Sequence, residues 1–264
     1  MGNMAIYLIF VTISFGASII GAICGIGGGV LIKPLLDAFG VMSVSAINFL
    51  SGCTVLTMSC YSVVKGHISG DSLVDFKTGT PLAIGAAAGG VVGKMLFQML
   101  SGAFSDANKA GMIQALCLMV ITLGTMIYTI RKDHIRTQEM TNIFACTVIG
   151  FLLGIMSSFL GIGGGPINLV VLYYFFSMDT KEAAQNSLYI ILFSQLTSFL
   201  MTVFTRTIPE VSIVVLILMV LGGLLGGVVG RKINKKINAQ VVDRLFIGLM
   251  GVIILICIYN ALRF

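Results

Sequence analysis

The sequence predicts an all-α integral membrane protein of about eight transmembrane helices in two repeated halves, each with a glycine-broken, re-entrant segment. Three observations carry that prediction. The chain is 57% hydrophobic and 10% charged over 264 residues, with a mean hydropathy of +1.05, which leaves too little polar surface to cover a globule in water. The run GIGGG at Gly25 to Gly29 returns at Gly161 to Gly165, each time inside long apolar sequence. Gly89-Gly90-Val91-Val92-Gly93-Lys94 is echoed by Gly226-Gly227-Val228-Val229-Gly230-Arg231 at nearly the same separation, and Asn48 aligns with Asn186 and Ser59 with Thr197 once short gaps are allowed. Duplication of a half-length unit accounts for all of these matches. It divides the chain into a first membrane repeat over 1–130, a polar connecting loop over 131–142 and a second membrane repeat over 143–264.

A bilayer core takes about 20 apolar residues per helix. On that ruler the first half holds spans at Ala5 to Ile23, Val44 to Val64, Gly79 to Leu100 and Gly111 to Ile130. The second holds Ile143 to Phe159, Ala183 to Thr205, Val211 to Gly230 and Val241 to Ala261. After each GIGGG run lies a short apolar piece, Val30 to Phe39 and Ile167 to Phe176, of about ten residues, too short to cross alone. A short helix after a glycine break fits a segment whose tip lies within the membrane. If the short pieces do not cross, the halves are parallel; if a break adds a crossing, they are inverted. In an eight-span count Arg231, Lys232, Lys235, Lys236 and Arg244 lie on one side, favoured as cytoplasmic, and Arg131, Lys132 and Arg136 on the other. Gly85, Gly89 and Gly93, and likewise Gly222, Gly226 and Gly230, recur every fourth residue. Each set forms a stripe on one helix face for close packing against a neighbour.

The same composition excludes several classes. The net charge of +6 resides in short loops and forms no continuous basic face, so it points to membrane orientation and anionic lipid, with no nucleic-acid partner. Six cysteines form no CxxC pair and have no neighbouring His, so they read as small apolar core residues and no metal is expected. The N-terminus lacks the basic region and cleavage site of a signal peptide. No HExxH or GxSxG motif occurs, so neither an enzyme nor a cofactor is expected. Asp71, Asp75, Asp179 and Glu182 read as loop or interfacial carboxylates, and no carboxylate stands out at mid-depth.

The chemistry is expected at the two breaks. Each Gly costs a helix roughly 1 kcal/mol relative to Ala, and unpaired backbone in hydrocarbon costs more. One compensation is that the first turn of the following half-helix offers N–H groups and a positive dipole end to an anion. The other is tight helix crossing. The candidate substrate-binding residues are Gly25, Gly27, Gly28 and Gly29, and Gly161, Gly163, Gly164 and Gly165, with Lys33, Asn168, Asn48 and Asn186 around them. Lys33 either meets an anion or snorkels to the interface. Asn48 and Asn186 either brace the glycine loops or bond an oxyanion directly.

The duplicated GIGGG, the following Lys33-Pro34-Leu35-Leu36 and the GGVVGK/GGVVGR echo resemble the sulfite exporter TauE/SafE family over nearly the whole chain. The resemblance implies a multi-pass permease of the cell membrane that moves sulfite, organosulfonates or related small sulfur-containing anions, usually outward. It carries over to Gly25, Gly27, Gly28, Gly29 and Pro34, and to Gly161, Gly163, Gly164 and Gly165. In the second copy the proline follows the glycines directly, at Pro166, and Val170 stands at the place of Pro34. The expected function is therefore a transporter, an exporter in direction, whose partners are a small anionic substrate and the lipid bilayer, with a homo-oligomer left open. The alternatives are a passive anion channel and a non-transporting membrane subunit that packs through its glycine stripes.

Overall fold

The computed structural model describes the backbone of residues 2–104 and 107–263. Among these residues there are ten α-helices and no strand: α1 (Gly2–Cys24), α2 (Gly29–Phe39), α3 (Val44–Ile68), α4 (Phe76–Ala103), α5 (Ala107–Arg131), α6 (Ile143–Leu160), α7 (Pro166–Phe176), α8 (Thr180–Phe204), α9 (Ile213–Lys236) and α10 (Ala239–Arg263). Eight are long and apolar enough to cross a membrane, and the two short ones follow the glycine runs. Local chemistry sets the boundaries. The side chains of Ser43, Asp75, Asn142 and Asp179 accept backbone N–H groups at the starts of α3, α4, α6 and α8. Gly40 and Gly161 close α2 and α6 in the left-handed conformation.

The order long, short, long, long, long occurs twice, and its packing contacts recur in matching pairs. Along α4 and α6 the contacts run Leu82 with Gly150, Gly89 with Phe151 and Gly93 with Ile155, so these helices are parallel. Along α9 and α1 they run Gly222 with Val11, Gly226 with Phe15 and Gly230 with Ile19, again parallel. Helix α3 also runs with α9, through Thr54 at Gly223 and Met58 at Gly227. The corresponding helices α3 and α8 oppose each other: Phe49 stacks on Phe199 at 6.2 Å, Gly52 faces Gln195, and Val55 and Ile191 close on Gly27. Helices α5 and α10 are likewise antiparallel, with Gln114 near Asn260 at one end and Lys132 2.7 Å from Asp243 at the other.

Because α3 runs in the same direction as α1, the chain must return between them, and α2 makes that return. Helix α7 does the same between α6 and α8. This changes the side assigned to the basic clusters. Arg131, Lys132 and Arg136 lie at the same end of the bundle as Arg231, Lys235 and Lys236, not at the opposite one, since α7 adds a reversal that a count of full-length spans omits. That end collects the basic residues outside the membrane core except Lys109, Arg206 and Arg263.

The glycine stripes find their partners across the halves. A Cβ on Gly85, Gly89 or Gly93 would overlap the α6 backbone carbonyls of Thr147, Phe151 and Ile155. On Gly226 and Gly230 it would overlap the carbonyls of Phe15 and Ile19 in α1. Backbone meets backbone here, a contact only small residues allow. Gly124 of α5 has no such neighbour.

Two outcomes are expected. Gly89→Leu and Gly226→Leu should each cost about 1–3 kcal/mol or more by overpacking and sharply lower the monodisperse yield on gel filtration, while Gly124→Leu retains it. Single cysteines placed at Arg136 and Lys235 should react with a membrane-impermeant thiol reagent from the same side, the cytoplasmic one by the positive-inside rule, and a cysteine at Arg206 from the other.

Candidate functional site

The two breaks lie against each other in the interior. Gly25, Gly27, Gly161 and Gly163 have φ of 76°, 75°, 67° and 75°, and Gly164 and Gly165 have 141° and 135°. Side chains rarely adopt these conformations, which explains the residue type. Gly29 packs on the carbonyl of Ile162, and Gly27 lies beside the carbonyl of Gly163. The remaining walls come from α3 and α8: Val55 over Gly163, Ile191 over Gly164, Ala184 on Gly25 and Asn48 on Gly161. No side chain caps α2 or α7. The amides of Gly27, Gly28, Gly29 and Val30 donate to no backbone carbonyl among the described residues. At α7 the first position is Pro166, which has no N–H, so the two breaks offer unequal sets of donors.

Buried polar atoms without a protein partner gather here. They include Ser18 Oγ and Ser51 Oγ beside Gly28 and Gly29, the Oδ1 of Asn168, whose Nδ2 faces Gly164, and both the amide oxygen and nitrogen of Asn48. Buried polar groups are ordinarily bonded to protein or to solvent, so this concentration marks a region suited to a polar guest. Asn48 and Gly161 line a pocket together with Ser158, Gln195 and Lys94. Lys94 is partly buried on α4, forms no ion pair among the described residues, and has its ammonium 5.8 Å from the Phe97 ring centre. Ser158 Oγ has no partner, and Gln195 Nε2 donates to Ser157 Oγ at 3.3 Å.

The other expected residues have different surroundings. Lys33 is buried, yet it neither snorkels nor lines this pocket: its Nζ lies 2.6 Å from Asp37 Oδ2, one turn along the same helix. Asp37 is a buried carboxylate within the membrane bundle, 4% exposed. It lies one turn before the C-cap Gly40 of α2, and the sequence had not singled it out. Asn186 matches Asn48 in sequence but is fully bonded, accepting from Asp75 N and donating to Leu73 O and Glu182 O. It braces the α3–α4 connection, not a glycine loop. Ser158, just before the second break, and Gln195 were legible as polar residues near the breaks, whereas Lys94 was absent from the expected site. For Lys94 the sequence held a signal, because it ends the first GGVVGK/R echo.

The residue at the end of the second echo, Arg231, is held differently. It donates to Ser62 O at 3.0 Å and to Asp71 at 2.6 Å, and Lys235 joins the same carboxylate. Along α3 the order is Asn48 to Cys53 at the Lys94 pocket, then Val55 and Met58, then Ser62 and Gly66 beside Arg231. Along α8 it is Thr202 to Gln195, then Ile191 and Leu188, then Gln185. Ala22, Val55, Met58, Leu188 and Ile191 form one buried apolar cluster between the two ends.

The profile described as Sulfite exporter TauE/SafE matches residues 10–256. The chain is also 26% identical over 208 residues to the Probable membrane transporter protein YunE of Bacillus subtilis (strain 168), an overlap of 72% of this chain and 76% of that one. No solved structure matches.

The Asp71 network has a pH signature. Partial burial raises the Asp71 pKa, but its bond to Lys235 and the charges of Arg231 and Lys235 outweigh that, so the net shift is downward. A carboxylate depressed on folding contributes stability that is present above its unfolded pKa and lost as pH falls through the lower folded value. Thermal unfolding should therefore show Asp71→Asn to be less stable than the parent at neutral pH. The difference should persist through the ordinary carboxylate range and close only below it.

Proposed function

The chain belongs to the sulfite exporter TauE/SafE family, a family of multi-pass membrane transporters, and from that premise we propose that it carries a small sulfur oxyanion, sulfite or an organosulfonate, bound in the Lys94 pocket against the second glycine break. The observation that carries this reading is Lys94. It is a partly buried cation with no carboxylate partner among the described residues, lining one pocket with the unpartnered polar atoms of Asn48 and Ser158. A desolvated cation beside amide and hydroxyl donors is matched to a compact oxyanion through charge-assisted bonds. From the second break the pocket takes Gly161, whose own amide is bonded to Ser158 O.

The arrangement also favours a carrier over an open channel. The apolar cluster of Val55, Met58, Leu188 and Ile191 separates the Lys94 pocket from the Arg231 end, and the Arg231–Asp71–Lys235 network covers that end. We read the five-helix units α1–α5 and α6–α10 as inverted repeats, supported by the antiparallel pairs α3/α8 and α5/α10. Exchanging the conformations of two inverted halves moves an opening from one face to the other. Outward transport is the direction the family name suggests.

Uptake of labelled sulfite into liposomes containing the purified protein tests the reading. Saturable uptake, competed by small organosulfonates, is expected. Lys94→Met should lower it by about 10-fold or more, the scale of one buried charge-assisted contact, with folded yield unchanged. Gly164→Ala, strained at its φ, should reduce flux as well. Uptake that is linear in substrate, or unchanged in Lys94→Met, would overturn the carrier site.

A further inference from the structure

A second polar cavity lies away from the glycine breaks, between α2, α5 and α10. It is lined by Lys33, Asp37, Gln114, Leu118, Cys257 and Asn260. Its volume, about 10 Å³, is of the order of a single water-sized sphere. Three of the lining side chains, Asp37, Gln114 and Asn260, are 4%, 1% and 1% exposed. Each keeps an oxygen with no protein donor: Asp37 Oδ1, Gln114 Oε1 and Asn260 Oδ1.

The orientation of both amides is fixed by their nitrogens. Asn260 Nδ2 donates to Pro34 O at 2.8 Å, and Gln114 Nε2 donates to Phe159 O at 2.5 Å. Carbonyl partners accept only an N–H, so flipping either amide would place two acceptors face to face. The oxygens are thus left as the unbonded ends. Lys33 bonds Asp37 through Oδ2 alone, which leaves Oδ1 unused.

We propose that this cavity is a binding site for one monovalent cation of sodium size, held by Asp37 Oδ1, Gln114 Oε1 and Asn260 Oδ1. One carboxylate and two amide oxygens form a hard, oxygen-only ligand set. A single cation can serve several oxygen acceptors at once, whereas a water has only two hydrogens to donate. The Lys33 ammonium lines the same cavity with two N–H groups beyond its bond to Asp37 Oδ2, and the cation competes with it for these oxygens. The valence follows from charge. Lys33 already balances Asp37, so a monovalent ion adds one uncompensated positive charge to the bundle and a divalent ion two; each such charge is costly there, and the ranking favours the monovalent ion. No group of three His, Cys, Asp or Glu exists among the described residues, so a softer transition metal has no comparable site.

The ion's position gives it a use in transport, one that rests on the carrier reading. Helix α2 begins at the first glycine break, and its lower half is tied to α10 through Asn260. A cation joining Asp37 of α2 to α5 and α10 would fix the returning helix against the bundle, so the position of the break would depend on occupancy.

Binding is measured without substrate, which keeps this test separate from the sulfite test. Thermal unfolding of the purified full-length protein is followed in sodium, potassium or choline chloride at constant pH and ionic strength. Sodium should raise Tm by several degrees in a saturable manner, choline should not, and potassium should act less strongly. The double variant Lys33→Met/Asp37→Leu removes the pair without leaving one buried charge alone, and its Tm should be the same in all three salts. Gln114→Met, which keeps length and removes one ligand, should weaken the sodium midpoint about 10-fold or more if one ligand is worth at least about 1.4 kcal/mol. Equal Tm of the parent in all salts overturns the proposal in favour of a trapped water. A sodium shift that survives in the double variant overturns it in favour of another site. A shift that follows pH and ignores sodium overturns it in favour of a proton on Asp37.

Discussion

Unwound backbone in a membrane has to be walled by protein, because lipid offers its N–H and C=O groups no partner. The rest of this structure follows from that constraint. Each break is enclosed by both halves of the chain: Gly25 by Ala184, Gly161 by Asn48, Gly163 by Val55 and Gly29 by the carbonyl of Ile162 across the halves, and Gly28 by Ser18 and Gly164 by Ile191 within them. The glycine stripes serve the same end, since α4 lies on α6 and α9 on α1 with backbones in contact. The helix that leads into each break is thereby clamped to the opposite half.

Matching positions have acquired different roles within this frame. Lys94 and Arg231 end the same sequence echo, yet one lines a pocket with unpartnered donors and the other is bound to Ser62, with Asp71 as its ion partner. Asn48 has no partner while Asn186 has three. In each pair the member near the Lys94 end is available and the member near the Arg231 end is engaged. Under the carrier reading this is the asymmetry of one conformation of a two-faced device, in which the engaged set seals one face and the available set meets the substrate.

The spans were legible in the sequence because helix length in a bilayer is a ruler, and all eight appear where the apolar runs placed them. The short helices were legible for the same reason. Their direction was not, because hydropathy reports length and is blind to a reversal. That blindness put Arg131 and Arg231 on opposite sides. Asp37 escaped notice because a carboxylate one turn from a lysine, near the end of a short apolar helix, reads as interfacial until α5 and α10 are seen to cover it. Lys94 was hidden by its neighbours, whose glycines have a sufficient explanation in packing. Asn48 and Asn186 both lie near the starts of corresponding helices, and it is their tertiary partners that give them different roles.

Under the carrier reading the Arg231 end is the closed one, and it is held by contacts of a strength that a ligand can oppose. Val55 and Ile191 are fully buried against Gly27, Gly163 and Gly164, and exposing two such side chains costs about 1.5–3 kcal/mol each. The Arg231–Asp71–Lys235 network is partly solvated, and partly exposed ion pairs add only about 0–1 kcal/mol each. The sum is on the order of 5 kcal/mol, close to the ~5.5 kcal/mol that carries a two-state equilibrium from 1:99 to 99:1. A larger apolar cluster or a fully buried ion network would hold the chain in one state. Under the carrier reading, a thin apolar layer backed by a solvated ion network suits alternating access, since differential binding of one anion would be enough to change which face is closed.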